Sequence, residues 1–498
     1  VQAHTRLVAL KDLDTQIVDI RVDLGAGTPE LHIHGLSQQV SRETRDRVRA
    51  ALRNAAQPWP ERSVHVTCST AHPQSDVDLA VAVAILLATG RVPARRLLAT
   101  ALIGELSLDG RVRPVRGVLP RAMAAAKFGC THLVVPAANA AEASHAPGIT
   151  IVPVAHLTEV ITWLTGGKIP AAVPTAQVDE DAVDQLWAAD TWARLDPGTV
   201  RAAALAAAGG HHTLFLARPG TGASLLPRLV TALMPDLTDA HAREVTALHS
   251  LAGAQLPASG LIMRPPRACP HHTTSMPALL GKGAPLRPGA VTLAHHGVLH
   301  LQDLPEFPGP AIEALRAVLD HREVALARAH RTVQLPAAVR AVFTARDCPG
   351  GCASAHDCTC TPFQRARYRR RIPLWLVART DLFVQRLSSL EPGSPVPSFD
   401  AVRASVVQAQ DRAAHRWDAR KRHNGKITDA QVAVGVPSEV TDRLDDAVHR
   451  GGITTVTASR CLKLAWTMAD LDQRARPALA DVNEILDQRQ HLGSLLFR

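Results

Sequence analysis

Leu214-Phe215-Leu216-Ala217-Arg218-Pro219-Gly220-Thr221-Gly222-Ala223-Ser224 sets the reading of this 498-residue chain. A short apolar run enters a turn with two glycines, and residues 225–234 then read as a helix. A strand, a glycine turn and a helix whose first amides face outward make a cradle for an anion. Pro219, Gly220, Thr221, Gly222, Ala223 and Ser224 are therefore the expected phosphate contacts, with the Ser224 hydroxyl placed for Mg²⁺. The pattern G-x-x-x-x-G-K-[ST] is met in part: Ala217 stands for its first glycine and Ala223 for its lysine. The loop carries the backbone of a phosphate site without its side-chain cation.

A chain of this length holds two to four domains with sizeable cores. Hydrophobic residues reach 46% but aromatics only 3%. Ala and Val supply most of that apolar content, which points to close helix packing. The net charge of +10 favours polyanionic partners, nucleic acid among them. The first residues lack the pattern of a signal peptide. The longest apolar run, residues 79–88, is too short to span a bilayer, so a cytoplasmic protein with no membrane partner is expected. Four of the eight cysteines fall between 348 and 360, which in a reducing compartment points to metal.

Residues 1–165 read as an α/β domain. Residues 18–22, 64–68 and 132–136 read as strands, 40–55 as an Arg-rich helix, and 78–87 and 120–128 as further helices. Residues 104–118 read as two strands around an Asp109-Gly110 turn. The segment from Gly104 to Pro136 resembles the Lon-protease-like domain. That protease fold pairs a Ser with a Lys, and the resemblance places the Lys two residues after Gly117, where Leu119 stands. The Ser-bearing segment precedes the helix at Asp78, and Pro73-Gln74-Ser75-Asp76-Val77 lacks its glycine framing. A non-proteolytic, structural or oligomerising role is expected. Residues 166–175 form a linker, residues 176–391 the middle domain, and a proline-rich break at 391–397 precedes a helical region at 398–498.

Ala207-Ala208-Gly209-Gly210-His211, the glycine loop, Arg264-Pro265-Pro266, Pro270-His271-His272-Thr273 and Arg287-Pro288-Gly289 come in order. Gly297-Val298-Leu299-His300-Leu301-Gln302-Asp303-Leu304-Pro305-Glu306-Phe307 follows, and Arg460 to Leu471 fits a C-terminal helix. Together they resemble the magnesium-chelatase-like AAA+ proteins of the ComM (YifB) type, over nearly the whole chain. The resemblance implies an α/β protein: a Lon-protease-like α/β domain, an AAA+ P-loop α/β domain and a C-terminal helical domain. It implies ATP and Mg²⁺ as cofactors, an oligomeric ring, and branch migration on DNA during transformation.

The same resemblance marks substitutions. The loop lysine is Ala223, the Asp-Glu pair of the second strand reads Gln302-Asp303, and the polarising Asn appears as Arg346-Asp347. Leu374-Trp375-Leu376-Val377-Ala378-Arg379-Thr380-Asp381 keeps an arginine, Arg379, that resembles an arginine finger. Arg460 stands where the family has its sensor-2 arginine. Asp303, Arg379 and Arg460 are thus the candidate catalytic residues. Two expectations follow. One is a ComM-like nucleotide-binding protein with impaired hydrolysis, working on DNA in a homo-oligomeric ring. The other is a non-catalytic adaptor or regulatory subunit that donates arginines to an active AAA+ homologue in a mixed ring.

Cys348, Cys352, Cys358 and Cys360 supply four thiols in thirteen residues, enough for a structural zinc site. His356 is a substitute ligand, and reduced free thiols are the other reading. Directly after comes Arg365-Ala366-Arg367-Tyr368-Arg369-Arg370-Arg371. Five arginines around the chain's only tyrosine suit phosphate contacts with an aromatic platform on DNA, or a solvated helix face. His271 and His272, as neighbours, point to different sides of any regular element and so share no metal.

Overall fold

The computed structural model describes residues 2–11, 14–69, 75–170, 192, 195–216, 225–282, 286–327, 332–346, 348–352, 358–385, 397–417 and 423–497. The expected phosphate contacts Pro219 to Ser224 lie outside the described residues, as do Pro73, Gln74, Asp347 and His356. Contacts divide the chain into two units. The first holds Val1–Asp179 with Thr238–Met263 and Gly283–Pro288, and the second the remainder.

The first unit is built on a seven-stranded sheet. Its strands are β1 (Gln2–Lys11), β2 (Asp14–Gly25), β3 (Leu31–His34), β4 (Ser63–Cys68), β5 (Thr100–Leu102), β8 (His132–Pro136) and β9 (Thr150–Val154). A short hairpin of β6 (Glu105–Leu106) and β7 (Val112–Arg113) lies apart from it, turning at the left-handed Gly110. The sheet order is β3-β4-β2-β1-β5-β8-β9. β1 and β2 are antiparallel along their whole length, and β5, β8 and β9 are mutually parallel.

Helix α2 (Asp78–Ala88) packs on β1 and β2 and is buried almost all round. Its apolar Ala/Val/Leu run permits this, because no face of it is polar. Its first residue, Asp78, is buried too, and Arg47 of the helix α1 (Gln38–Asn54) meets it at 2.7 Å. Burial pushes the Asp78 carboxyl up to about 6, against the opposing pull of Arg47.

The segment where a protease would carry its serine is a single 3₁₀ turn, Ser75–Val77. Asp76 there forms a buried ion pair with Arg121 of helix α3 (Val118–Lys127). Leu119 is fully buried, and its N–H donates to Glu142 at 3.3 Å. A salt bridge and a leucine thus occupy the region that a Ser–Lys pair would need. Gly117, which starts α3 in the left-handed region, has no room for a side chain: a Cβ would meet Leu10 at 2.4 Å.

The second unit contains a parallel sheet in the spatial order Arg267–Ala268, Val298–Leu301, Arg340–Ala345, Thr213–Leu216, Leu382–Gln385. Every pair in it is parallel, and the strands at 213, 298 and 340 are buried throughout. The glycine loop leaves the carboxyl end of Thr213–Leu216, the strand from which the order departs to both sides. That is the edge where open α/β sheets bind ligands. The helix Pro197–Gly209 enters it, capped by the Asp196 side chain on the Thr199 amide at 3.0 Å. Its alanines are buried against Phe399–Trp417 and Thr455–Leu471, and Leu479–Phe497 packs on the latter. The α/β class with a helical C-terminal region agrees with the sequence reading.

Asp381 ties these layers together. It is buried, its Oδ2 accepts from the His212 amide at 3.0 Å, and its Oδ1 accepts from Arg460 at 2.8 Å. His211 Nδ1 lies 3.5 Å from Oδ2. Burial alone would raise this carboxyl. The close approach of His211 and the charge of Arg460 outweigh it and hold the pKa well below the ordinary carboxylate range. A group depressed in the fold stabilises above its unfolded pKa of about 4 and loses that contribution as pH falls below it. Asp381→Asn is expected to lower the unfolding free energy at pH 7 by about 3 kcal/mol. The deficit should shrink as pH falls below about 4. Denaturant unfolding from pH 7 to 3 checks this, and a deficit independent of pH would contradict it.

Candidate functional site

The buried strand Val298–Leu301 delivers Gln302 and Asp303 beyond its carboxyl end. Gln302 is exposed, while Asp303 takes the left-handed region (φ 54°) and donates its amide to Thr344 Oγ1 at 3.4 Å. The next strand, Arg340–Ala345, runs parallel with Leu301 opposite Phe343. That register sets Arg346, the residue after the strand, beside Asp303.

Arg346 Nε lies 3.0 Å from Asp303 Oδ1, and its other end reaches Glu306 Oε1 at 3.2 Å. Arg371 holds the second Glu306 oxygen at 3.4 Å. Burial works against the charge on Arg346, but Tyr368, Asp303 and Glu306 outweigh it and raise its pKa. Gln302 and Asp303 do not together make a magnesium pair. Gln302 brings no charge, and the Asp303 carboxylate is already matched by a guanidinium, whereas Mg²⁺ takes its protein ligands from carboxylates.

Arg379 and Arg460 sit together but differ in role. Arg379 makes a bidentate pair with Asp320, both contacts at 2.6 Å, and lies over the Trp375 ring at 5.4 Å. Arg460 donates to Asp381 and to the Arg379 carbonyl at 3.0 Å. It serves the buried carboxylate described above.

The four sulfurs of Cys348, Cys352, Cys358 and Cys360 lie within 4.8 Å of one another. Tetrahedral thiolate zinc, with Zn–S near 2.3 Å, needs sulfurs about 3.8 Å apart. The backbone makes room for this: a Cβ at Gly350 would meet Cys360 Sγ at 2.8 Å and Cys352 Sγ at 3.4 Å. The donor set and its spacing fit zinc.

The Arg-rich segment forms the helix Pro362–Arg369, begun by a capping box in which Thr361 and Gln364 exchange bonds at 3.2 and 2.8 Å. Arg367, Arg370 and Arg371 are exposed, Arg365 and Arg369 half-buried. Tyr368 is 4% exposed and its hydroxyl belongs to the Arg346 group, so its ring offers no stacking face. Phe363, 74% exposed on the same helix, does. The reading of Tyr368 as a platform is corrected: at helical period it turns inward with Ile372.

His271 and His272 also differ from expectation. They lie in a turn, not a regular element, and their rings approach to 4.0 Å between centroids. Among the described residues no metal-holding group includes them. Sequence reasoning missed Glu306 and Asp381 as anchors of their arginines. Glu306 was visible only as part of a motif, and nothing in the sequence assigns its partners.

The family description for magnesium chelatase subunit ChlI matches residues 196–391, a second ChlI description residues 20–139, and that of the ChlI C-terminal region residues 397–489. An uncharacterized protein of Mycobacterium tuberculosis (strain ATCC 25618 / H37Rv) is 38% identical over 503 residues, 97% of each chain. Competence protein ComM of Haemophilus influenzae is 32% identical, with 93% of each chain covered. YifB of Escherichia coli is 30% identical, over 94% of this chain and 93% of its own. A Lon protease of Heliobacterium modesticaldum is 33% identical over 101 residues, 19% of this chain and 12% of its own. With near-complete coverage by the first three of these relatives and the parallel sheet in place, the chain belongs to the ComM/YifB group of the magnesium-chelatase family.

Proposed function

We propose that this protein is a ComM-type ring subunit that acts on DNA and whose own nucleotide cleft is impaired in hydrolysis. The observation that carries the second half is Arg346 bridging Asp303 and Glu306. Phosphoryl transfer needs a loop lysine on the β/γ-phosphates and free carboxylates to orient metal and water. Here the lysine is Ala223, the first acid is Gln302, and the remaining one is engaged. Backbone amides of residues 220–224 would still grip a nucleotide weakly. The relative named a competence protein, the basic balance and the exposed Arg367, Arg370 and Arg371 support the DNA half.

One observation favours the regulatory reading, in which the chain completes a neighbour's site in a mixed ring. Arg379 and Asp320 are 21% and 35% exposed, so releasing Arg379 costs only about 1 kcal/mol. Freed, it could stabilise charge on a neighbour's nucleotide. The chain alone, with or without DNA, should show no ATP turnover above background. A kcat on the order of 1 s⁻¹ would overturn the reading. Mixed with an intact homologue it should support hydrolysis, and Arg379→Ala should remove that support.

The DNA contact is expected to be electrostatic. Arg367→Glu with Arg370→Glu should weaken duplex binding about tenfold or more and flatten its dependence on salt. Fluorescence anisotropy between 50 and 200 mM salt tests this, and an unchanged salt slope removes the helix from the interface.

We further propose that the thiol cluster holds one structural zinc, which would fix the segment between Arg346 and the Pro362–Arg369 helix. Elemental analysis should give one zinc per chain, and Cys358→Ser should lose it together with thermal stability. Purified full-length chain with no zinc, all four thiols titrating freely, refutes the site.

A further inference from the structure

Arg340 opens the strand whose far end leads to Arg346. It is 9% exposed. Its guanidinium meets Met234 Sδ at 2.7 Å and His423 Nε2 at 2.8 Å. His423 Nδ1 donates to the Ala208 carbonyl at 3.1 Å, so the imidazole accepts from Arg340 as a neutral ring. Neither a thioether nor a neutral imidazole balances a buried charge. Two more cations stand on the segments that frame it: the Lys426 amide donates to the carbonyl of His423 at 3.0 Å, and the Arg322 carbonyl accepts from the Ala337 amide, three residues before Arg340, at 2.7 Å. Both side chains are exposed. Among the described residues no carboxylate pairs with any of the three.

The charges feel one another. Burial, then Arg340 and Arg322, push the Lys426 ammonium down to about 8. Burial brings Arg340 to about 10 and lowers Arg322 as well. Buried charges are ordinarily paired, and leaving like charges together works against folding. The arrangement is nonetheless firmly built. Lys426 stands on the short turn Asn424–Lys426, and buried Asn424 is fixed by Asp470 at 2.8 Å, Thr467 at 3.2 Å and Trp417 at 2.8 Å. Behind the guanidinium, Gly210 lacks a side chain where a Cβ would stand 3.5 Å from Arg340 Nε.

We propose that Arg340, Lys426 and Arg322 form a binding site for a phosphate group at the amino-terminal edge of the parallel sheet. A dianion there would offset the burial of Arg340 and the repulsion that Lys426 feels from Arg340 and Arg322, with the exposed Lys426 and Arg322 reaching it from solvent. The site is separate from the nucleotide edge. Arg340 and Arg346 are six residues apart along one strand, roughly 20 Å at about 3.3 Å per residue. A fully active or a fully inactive nucleotide cleft leaves this assignment untouched.

Calorimetric titration of the full chain with inorganic pyrophosphate, and with a single-stranded oligonucleotide, tests it. Arg322→Ala with Lys426→Ala alters exposed side chains and should weaken binding at least tenfold. Loss confined to pyrophosphate identifies a free phosphate compound as ligand. Loss that includes the oligonucleotide identifies the nucleic-acid backbone. Arg340→Met should lose the pyrophosphate-induced rise in Tm, and if it does not fold, the exposed double variant decides. Wild-type affinity of that double variant for both probes overturns the site.

Discussion

The ion pair between Arg346 and Asp303 governs the rest of the second unit's chemistry. It follows from strand register: Leu301 opposite Phe343 places Asp303, the second residue after one strand, beside Arg346, the first residue after the other. A neutral side chain at that point would leave the Asp303 carboxylate open towards the carboxyl edge of the sheet. An arginine closes it and reaches Glu306 as well. The segment that follows is arranged around this closure. The thiol cluster begins two residues on, and the Pro362–Arg369 helix returns Tyr368 and then Arg371 to the same group. Substitutions that look independent along the chain therefore meet in one place.

The motif order was legible because each landmark stands at a strand end or a helix cap, where residue type is dictated by backbone geometry. Strands β2, β4 and β8, helices α1 to α3 and the turn at Gly110 also follow from period and glycine placement. The pairing of β1 with β2 did not, since Gln2–Lys11 carries no turn signal stronger than its neighbours and gains its identity from a partner strand. The helix Asp239–Ala252 sits in the middle of the chain yet packs in the first unit against α3, a contact no local pattern encodes. Tyr368 shows a different failure. A tyrosine among arginines looks solvated, but long cationic side chains can flank a buried ring while keeping their heads in water.

The candidate site divides in the same way. Which residues were missing from the acidic strand could be read directly, because a lost lysine or aspartate is a matter of residue type. What the remaining Asp303 does could not be, because its partner lies 43 positions later and is chosen by sheet register. Arg460 likewise reads as a functional arginine until the burial of Asp381 is known. The contact then explains it as the counter-charge of a carboxylate that shares its oxygens with His211 and His212.

Burial of the partner carboxylate also separates the two arginines that stand near one another. Arg460 answers Asp381, which is 6% exposed, and freeing it would strand a buried charge at a cost of several kcal/mol. Arg379 answers Asp320, which keeps a third of its surface in water, so its release costs little. The same logic applied to Arg346 puts it between these limits, with both carboxylates 30% exposed but two of them engaged at once. A chain with these contacts holds Asp303 and Glu306 firmly and Arg379 loosely. That asymmetry is what a subunit needs if its contribution lies in a neighbour's site and not in its own.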